Sequence, residues 1–109
     1  STADYQHGPI SALNSDSQVI LVAPCCMPAN SMGEAVEKIR KITKKIYWIG
    51  RESEVVTGEH DLGGSCCNDE ITSSIVDAMI LQELALNLAV ANGLNPDAPA
   101  GLSKVTTTV

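Results

Sequence analysis

The hydrophobic positions in the N-terminal half of the chain form two short continuous runs, with a stretch of helical period between them. Val19–Ala23 is a short apolar run without alternation, which is typical of a strand buried on both faces of a parallel sheet. Residues 31–43 carry apolar side chains at helical spacing, which predicts an amphipathic helix. Ile46–Ile49 is a second short apolar run, closed by Gly50. This order of strand, helix and strand predicts a βαβ unit whose two strands are parallel neighbours.

Local signals refine this pattern. Ser31-Met-Gly-Glu34 has the form of a capping box, in which the Ser and Glu side chains satisfy the first backbone N–H groups of a helix. Glu34 and Lys38 stand four residues apart, the spacing of a favourable helical ion pair. We expect a third, weaker strand at Val55–Thr57 and a polar, glycine-rich loop at residues 58–65.

The C-terminal half is dominated by a predicted long helix at Asp69–Asn92, which Gly93 ends. Its apolar residues fall on nearly every side of the helix: Ile71, Ile75, Val76, Met79, Ile80, Leu81, Leu84, Leu86, Leu88 and Val90. A helix of this kind must be buried on more than one face. We therefore expect a second covering surface, supplied either by a missing part of the parent protein or by a partner subunit.

Composition places the chain among globular proteins. Its 109 residues are 44% hydrophobic and 18% charged, which suits one domain. The net charge is -6, and the one dense basic cluster, Lys38–Lys45, lies where a helix is predicted to end, a position that cations favour. We therefore expect no nucleic-acid binding. We also expect no membrane span, because no apolar run reaches the ~18 residues that a bilayer needs.

Four cysteines form two adjacent pairs, Cys25-Cys26 and Cys66-Cys67. Small secreted domains usually spread their cysteines along the chain, and zinc sites use spacings such as C-x2-C. Neighbouring cysteines suit neither arrangement well, so we expect reduced thiols in a cytoplasmic protein and no metal site. The first residues have no signal-peptide pattern and no starting Met, and we expect the chain to begin inside a longer protein.

Two motifs near the chain ends carry a family resemblance. His7-Gly8-Pro9, followed by Ile10-Ser-Ala-Leu13 and a hydrophobic strand, resembles the HGP motif of the second SIS (sugar isomerase) domain in the glucosamine-6-phosphate synthase family and related phosphosugar isomerases. Asn95-Pro-Asp-Ala-Pro99, followed by residues 101–106 (G-L-S-K-V-T), resembles the tail of the same family. The chain departs from that tail at Ala100, where relatives often carry Arg.

The resemblance covers the whole chain and implies its fold. We expect an α/β fold that is a partial SIS (flavodoxin-like) domain, with a short parallel sheet flanked by helices. Residues 1–109 would then be the C-terminal portion of one SIS domain. The family comprises the glutamine–fructose-6-phosphate aminotransferases and related phosphosugar isomerases, and we expect no cofactor.

The resemblance also implies roles for five residues. His7 matches the histidine that opens the sugar ring and enters the active site of the neighbouring subunit, and an imidazole that titrates near neutrality suits this proton transfer. Lys104 matches the tail lysine, whose amine forms a Schiff base with the open-chain ketose or holds its carbonyl oxygen. Asp4 either orients the His7 imidazole or caps a helix. Ser103 and Thr106 would add polar contacts to the substrate.

Structural alternatives stay open for these side chains, since His7 could cap a turn and Lys104 could be a solvated tail residue. His60, between two carboxylates in Gly-Glu-His-Asp, suggests a metal site, but a solvent-exposed loop histidine is the favoured interpretation. Gly63-Gly64-Ser65 resembles a phosphate-binding loop only superficially, because two cysteines follow before the helix. Trp48 is interpreted as a strand residue that packs on a helix.

Two parts of a complete SIS site are missing from the sequence. The family holds the sugar phosphate in a Ser/Thr-rich loop of the S-x-S-G-[DE]-T kind, where hydroxyls and backbone N–H groups meet the phosphate. No such loop occurs here, and the carboxylate that moves the proton between sugar carbons lies upstream of HGP in the family. The first strand and first helix of the domain also have no counterpart. We therefore expect the isolated chain to be inactive.

The sequence is compatible with three alternative functions. The first is part of an enzyme that binds a ketose 6-phosphate such as fructose 6-phosphate and isomerises it to an aldose or amino-sugar phosphate. The second is a non-catalytic SIS module that binds sugar phosphate, and the third is a structural dimerisation domain. The pairing of His7 with Lys104 favours the enzyme. The expected partners are a sugar phosphate and a second subunit in a homodimer with shared sites, with no nucleic acid and no membrane.

Overall fold

The computed structural model describes residues 8–24, 32–64 and 69–101. Three strands and two α-helices occur in these ranges in the order β1 (Val19–Val22), α1 (Gly33–Ile42), β2 (Ile46–Ile49), β3 (His60–Asp61) and α2 (Glu70–Ala91). The strands form one sheet in the order β1-β2-β3. Both pairings are parallel, which confirms the predicted α/β fold with a short parallel sheet.

The register of the first strand pair follows the two apolar runs. Val19 pairs with Ile46, and Val22 pairs with Ile49. Helix α1 forms the connection between these strands, as a parallel pair requires. The predicted βαβ unit is therefore confirmed.

Helix α1 packs its apolar face on the sheet. Val36 and Ile39 are each 3% exposed and lie in one core cluster with Leu21 and Trp48. Burial of each such side chain stabilises the fold by about 1.5 to 3 kcal/mol. The solvent face of the helix carries the predicted ion pair, in which Lys38 Nζ lies 2.8 Å from Glu34 Oε1.

Two local expectations were wrong. Helix α1 begins at Gly33 with Met32 at the N-cap and no side-chain cap, so the predicted box from Ser31 to Glu34 does not set its start. Ser31 itself lies outside the described residues. The third strand is His60–Asp61 rather than Val55–Thr57, because a turn at residues 57–58 ends the extended backbone.

Helix α2 has the predicted ends. Asp69 is the N-cap, and its Oδ2 accepts a hydrogen bond from the Thr72 N–H at 2.8 Å. At the other end Asn92 donates its Nδ2 hydrogen to the Leu88 carbonyl at 2.7 Å. Gly93 follows with φ of 70°, a left-handed conformation that favours glycine after a helix.

The burial of α2 is reversed relative to an ordinary amphipathic helix. The fully buried residues of the helix are polar, Ser73 and Asp77. Most of the large apolar side chains are exposed, at fractions between 38% and 72%: Ile71, Ile75, Met79, Leu81, Leu86, Leu88 and Val90. The expectation that this helix is buried on several faces is therefore not met within the described residues.

The side of α2 that faces the protein lies near Leu62. A shallow cavity of about 230 Å³ is lined by Leu62 together with Ile80, Glu83, Leu84 and Asn87 of the helix.

By length and composition alone, α2 is also long and apolar enough to cross a bilayer. The expectation of no membrane span rested on an uninterrupted apolar run, and Asp77 and Glu83 interrupt this helix, so that expectation stays a prediction.

Candidate functional site

The five residues to which the sequence assigns substrate chemistry are Asp4, His7, Ser103, Lys104 and Thr106. All of them lie outside the described residues, as do the four cysteines. Their mutual geometry therefore stays a prediction. The structure does describe the segments that adjoin them, which end at Gly8 and Gly101.

The segment after His7 is fixed to the core. Pro9–Ala12 forms a 3-10 turn. Ser11 closes it by donating from its hydroxyl to the Gly8 carbonyl at 2.7 Å. Ile10 and Leu13 pack against the buried core cluster that the sheet forms with helix α1. The backbone next to His7 is thus held by both hydrogen bonds and apolar contacts.

The segment before Lys104 contains the predicted turn. The Asp97 N–H donates to Asn95 Oδ1 at 3.0 Å, and the Ala98 N–H donates to the Asn95 carbonyl at 3.2 Å. An Asn side chain that bonds to the backbone two residues ahead is a common way to stabilise a turn. Asn95–Pro99 is therefore a turn that directly follows α2, as the tail motif predicts.

The carboxyl ends of the three strands meet around Gly50. The Ala23 N–H donates to the Ile49 carbonyl at 2.8 Å, and the Gly50 N–H donates to the Gly63 carbonyl at 2.8 Å. Gly50 has φ of +105°, and a Cβ there would collide with the Ala23 carbonyl. A Cβ on Gly64 would collide with the Gly50 backbone. Ligands of open parallel sheets bind outside this edge, so these close approaches shape the place where a site is expected.

Arg51 brings positive charge to the same edge and was missed by the sequence analysis. Its Nη2 donates to the Pro24 carbonyl at 3.5 Å, and its Nη1 lies 3.5 Å from Glu54 Oε1. The side chain is 15% exposed. The sequence feature that could have identified Arg51 is its position directly after the glycine that ends β2, where parallel sheets present ligand-binding groups.

A second cluster of charged residues lies beside helix α1. Arg40 Nε lies 2.6 Å from Glu59 Oε1, and Trp48 donates its Nε1 hydrogen to Glu59 Oε2 at 2.5 Å. Burial raises the pKa of the Glu59 carboxyl, but hydrogen bonds from Arg40 and Trp48 outweigh it and hold that pKa below its ordinary value. The hydrogen bond from Glu59 in turn raises the pKa of Arg40.

This cluster is best interpreted as structural. Arg40 also contacts Glu37 at 2.9 Å and donates to the Glu54 carbonyl at 2.9 Å. Perturbed pKa values often mark functional sites, but structural ion pairs produce them as well. Because the charges here are matched and hydrogen-bonded to each other, they tie the loop at Glu59 to helix α1.

His60 is exposed, as predicted, but it belongs to β3 rather than to a loop. Its ring stacks on Tyr47 with a centroid distance of 5.0 Å and an interplanar angle of 20°. No group of three or more His, Cys, Asp or Glu side chains that could hold a metal occurs in the part of the chain that the structure describes. Trp48 packs in the core with α1, as expected.

Comparison with curated proteins supports the resemblance drawn from the two motifs, although no family model matches the chain. The chain is 29% identical over 107 residues to a protein of Thermococcus kodakarensis named glutamine–fructose-6-phosphate aminotransferase (isomerizing). Proteins of the same name from Idiomarina loihiensis and Methanothermobacter thermautotrophicus are both 27% identical to the chain, over 106 and 107 residues respectively. These matches cover 95% to 98% of the chain.

The matches cover only a small part of the relatives. The chain spans 17% to 18% of their length. The resemblance predicted from the HGP motif and the tail motif is nevertheless confirmed, because nearly the whole chain takes part in each match. The similarity is consistent with a C-terminal SIS fragment.

Proposed function

We propose that this chain is the C-terminal portion of an SIS domain in a protein similar to the glutamine–fructose-6-phosphate aminotransferases, and that it contributes part of a site that isomerises a ketose 6-phosphate. The substrate class is a sugar phosphate such as fructose 6-phosphate. The product is an aldose or amino-sugar phosphate.

The observation that carries this proposal is the similarity over 95% to 98% of the chain to three proteins whose names include both the sugar phosphate and the isomerisation. The parallel βαβ unit supports it, because open parallel α/β sheets bind ligands at the carboxyl edge. Arg51 at that edge is a suitable additional contact for an anionic substrate.

In the proposed mechanism His7 moves the proton that opens the sugar ring. Catalysis of this kind requires an imidazole held at a fixed place. The turn that begins at Gly8 and the packing of Ile10 and Leu13 favour such a role. Lys104, beyond the turn at Asn95, would contact the carbonyl carbon or oxygen of the open-chain ketose.

The site is incomplete in this chain alone. The residues that would hold the phosphate and move the proton between sugar carbons have no counterpart in the 109 residues. The exposed apolar side chains of α2 support the same conclusion, because such a surface is expected to be covered by protein. We propose that the parent polypeptide and a second subunit complete the site and the packing.

A membrane partner for α2 is the less favoured alternative. Asp77 and Glu83 lie near the middle of the helix, where each charged side chain costs about 2.5 to 3.5 kcal/mol in a bilayer. No Lys or Arg occurs between residues 52 and 103 to anchor the helix ends at a membrane surface. Packing against protein is therefore the better account of this helix.

A non-catalytic SIS module for sugar-phosphate binding or dimerisation is the second candidate, and the exposed apolar side chains of α2 are the observation that favours dimerisation. To separate the two, we would incubate the intact polypeptide with fructose 6-phosphate and with either glutamine or ammonia. The enzyme hypothesis predicts glucosamine 6-phosphate or glucose 6-phosphate by chromatography. Saturable binding of fructose 6-phosphate without any product would support the binding module instead.

A further inference from the structure

Ser73 and Asp77 are the polar residues on the inward face of α2. Ser73 is 0% exposed and Asp77 is 3% exposed. Within the described ranges, three buried side-chain atoms have no hydrogen-bond partner, and all three belong to this pair: Ser73 Oγ, Asp77 Oδ1 and Asp77 Oδ2. The two residues stand four apart on one helix, so their side chains lie on the same face one turn from each other.

An unpartnered buried carboxylate is a costly arrangement. It loses its hydration on folding, and an opposite charge or hydrogen-bond donors compensate for that loss. Buried polar groups in native proteins nearly always have a partner, so an unpaired group requires an explanation, and a bound water or ion is one such explanation. Ser73 and Asp77 together offer three oxygen atoms to such a partner.

The neighbouring sequence offers no positive side chain to this carboxylate. Residues 52–103 contain no Lys or Arg. The same stretch contains nine acidic residues: Glu52, Glu54, Glu59, Asp61, Asp69, Glu70, Asp77, Glu83 and Asp97. A positive partner for Asp77 therefore has to be either a bound cation or a side chain from outside this stretch.

We propose that Ser73 and Asp77 bind one monovalent alkali cation, K⁺ or Na⁺. Carboxylate and hydroxyl oxygens are hard ligands, which suit hard cations rather than zinc or copper. A single positive charge neutralises a single buried carboxylate, whereas a divalent ion would leave a net charge in the interior. Ca²⁺ sites usually draw on several carboxylates, and Asp77 is the one carboxylate in this buried pair.

The first test measures thermal unfolding of the intact polypeptide in KCl, NaCl and tetramethylammonium chloride at equal ionic strength. Tetramethylammonium is too large to enter the pair. Because a ligand that binds only the folded state stabilises it, we expect the unfolding midpoint to be about 2 to 4 °C higher in KCl or NaCl. Asp77→Asn should abolish this difference and Ser73→Ala should reduce it. Glu83→Gln, which changes an exposed carboxylate on the same helix, should retain it.

Equal midpoints in the three salts would overturn the proposal, and so would an unchanged salt dependence in Asp77→Asn.

The second test locates the ion. Crystals of the intact polypeptide soaked in Tl⁺, a heavy substitute for K⁺, should show an anomalous peak in contact with Ser73 Oγ and the Asp77 carboxylate. The absence of a peak at this pair would contradict the proposal, because a water or a partner side chain would then occupy the place.

Discussion

Trp48 donates its indole hydrogen to Glu59 over 2.5 Å, which links the most buried aromatic side chain of the sheet to a loop carboxylate. Glu59 is 5% exposed and also receives two hydrogen bonds from Arg40, at 2.6 and 3.1 Å. One carboxylate thus joins β2, α1 and the loop before β3. Its removal should affect all three elements.

The first prediction is that Glu59→Gln destabilises the fold. The variant keeps the shape of the side chain but leaves Arg40 without its main counter-charge. We expect a loss of about 1 to 3 kcal/mol in the free energy of unfolding, because hydrogen bonds to charged, buried groups contribute this much. Urea unfolding followed by Trp48 fluorescence measures it. Glu34→Gln is the matched control, since its ion pair with Lys38 is exposed and should contribute little. Equal effects of the two variants would contradict the structural role of Glu59.

The second prediction concerns pH. The pKa of Glu59 is lowered in the folded state, so its ionised form stabilises the fold above the unfolded-state value of about 4.3. This contribution should be constant from neutral pH to about pH 5 and should decrease as the pH falls through the lower, folded-state pKa. The difference in unfolding free energy between wild type and Glu59→Gln should therefore shrink in acid. A difference that grows below pH 4 would show that the sign of the pKa shift is wrong.

The third prediction concerns the close approach of Gly64 to Gly50. A methyl group at position 64 would meet backbone atoms of Gly50, which cannot move aside like the end of a side chain. Gly64→Ala should therefore cost about 1 to 3 kcal/mol, the usual range for overpacking. Gly33→Ala is the control, because nothing lies within 4 Å of its Cβ position. The measurement is the thermal unfolding of both variants in the intact polypeptide. A Gly64→Ala variant as stable as wild type would contradict the described geometry of the carboxyl edge.

The fourth prediction concerns the exposed side of α2. Ile75 and Met79 are 57% and 62% exposed, and a surface of this kind associates with protein. The isolated chain should therefore self-associate in sedimentation experiments, and Ile75→Gln with Met79→Gln should reduce the association. Leu94→Gln removes an equally exposed apolar side chain beyond the helix, so it should have a smaller effect. A monomeric wild-type chain would contradict the prediction.

Much of this fold could be predicted from the sequence because its signals are local. The two apolar runs and the helix between them identify the βαβ unit, and Asp69 and Gly93 mark the ends of α2. The third strand could not be predicted in the same way. Val55 and Val56 have high strand propensity, but the Val56 N–H donates to the Glu59 carboxylate and the chain turns there. The local turn at residues 57–58 therefore outweighed the strand propensity of the two valines.

The direction in which α2 faces could not be predicted either. Apolar residues lie nearly all round this helix, so periodicity does not show which side meets the rest of the protein. The result is that Ser73 and Asp77 face inward.

For the candidate site, the family motifs identified the catalytic candidates His7 and Lys104 from the sequence. Both lie outside the described ranges, so their arrangement remains a prediction.

The central claim is that His7 opens the sugar ring in the intact polypeptide. The most direct measurement compares turnover of cyclic fructose 6-phosphate with turnover of an open-chain analogue in wild type, His7→Ala and His60→Ala. We expect His7→Ala to slow the cyclic substrate by ~10² to 10⁴-fold, the usual contribution of general acid–base catalysis, and to slow the open-chain analogue far less. His60→Ala changes the other histidine of the chain and should leave both rates nearly unchanged. An equal loss on both substrates in His7→Ala would contradict the ring-opening role.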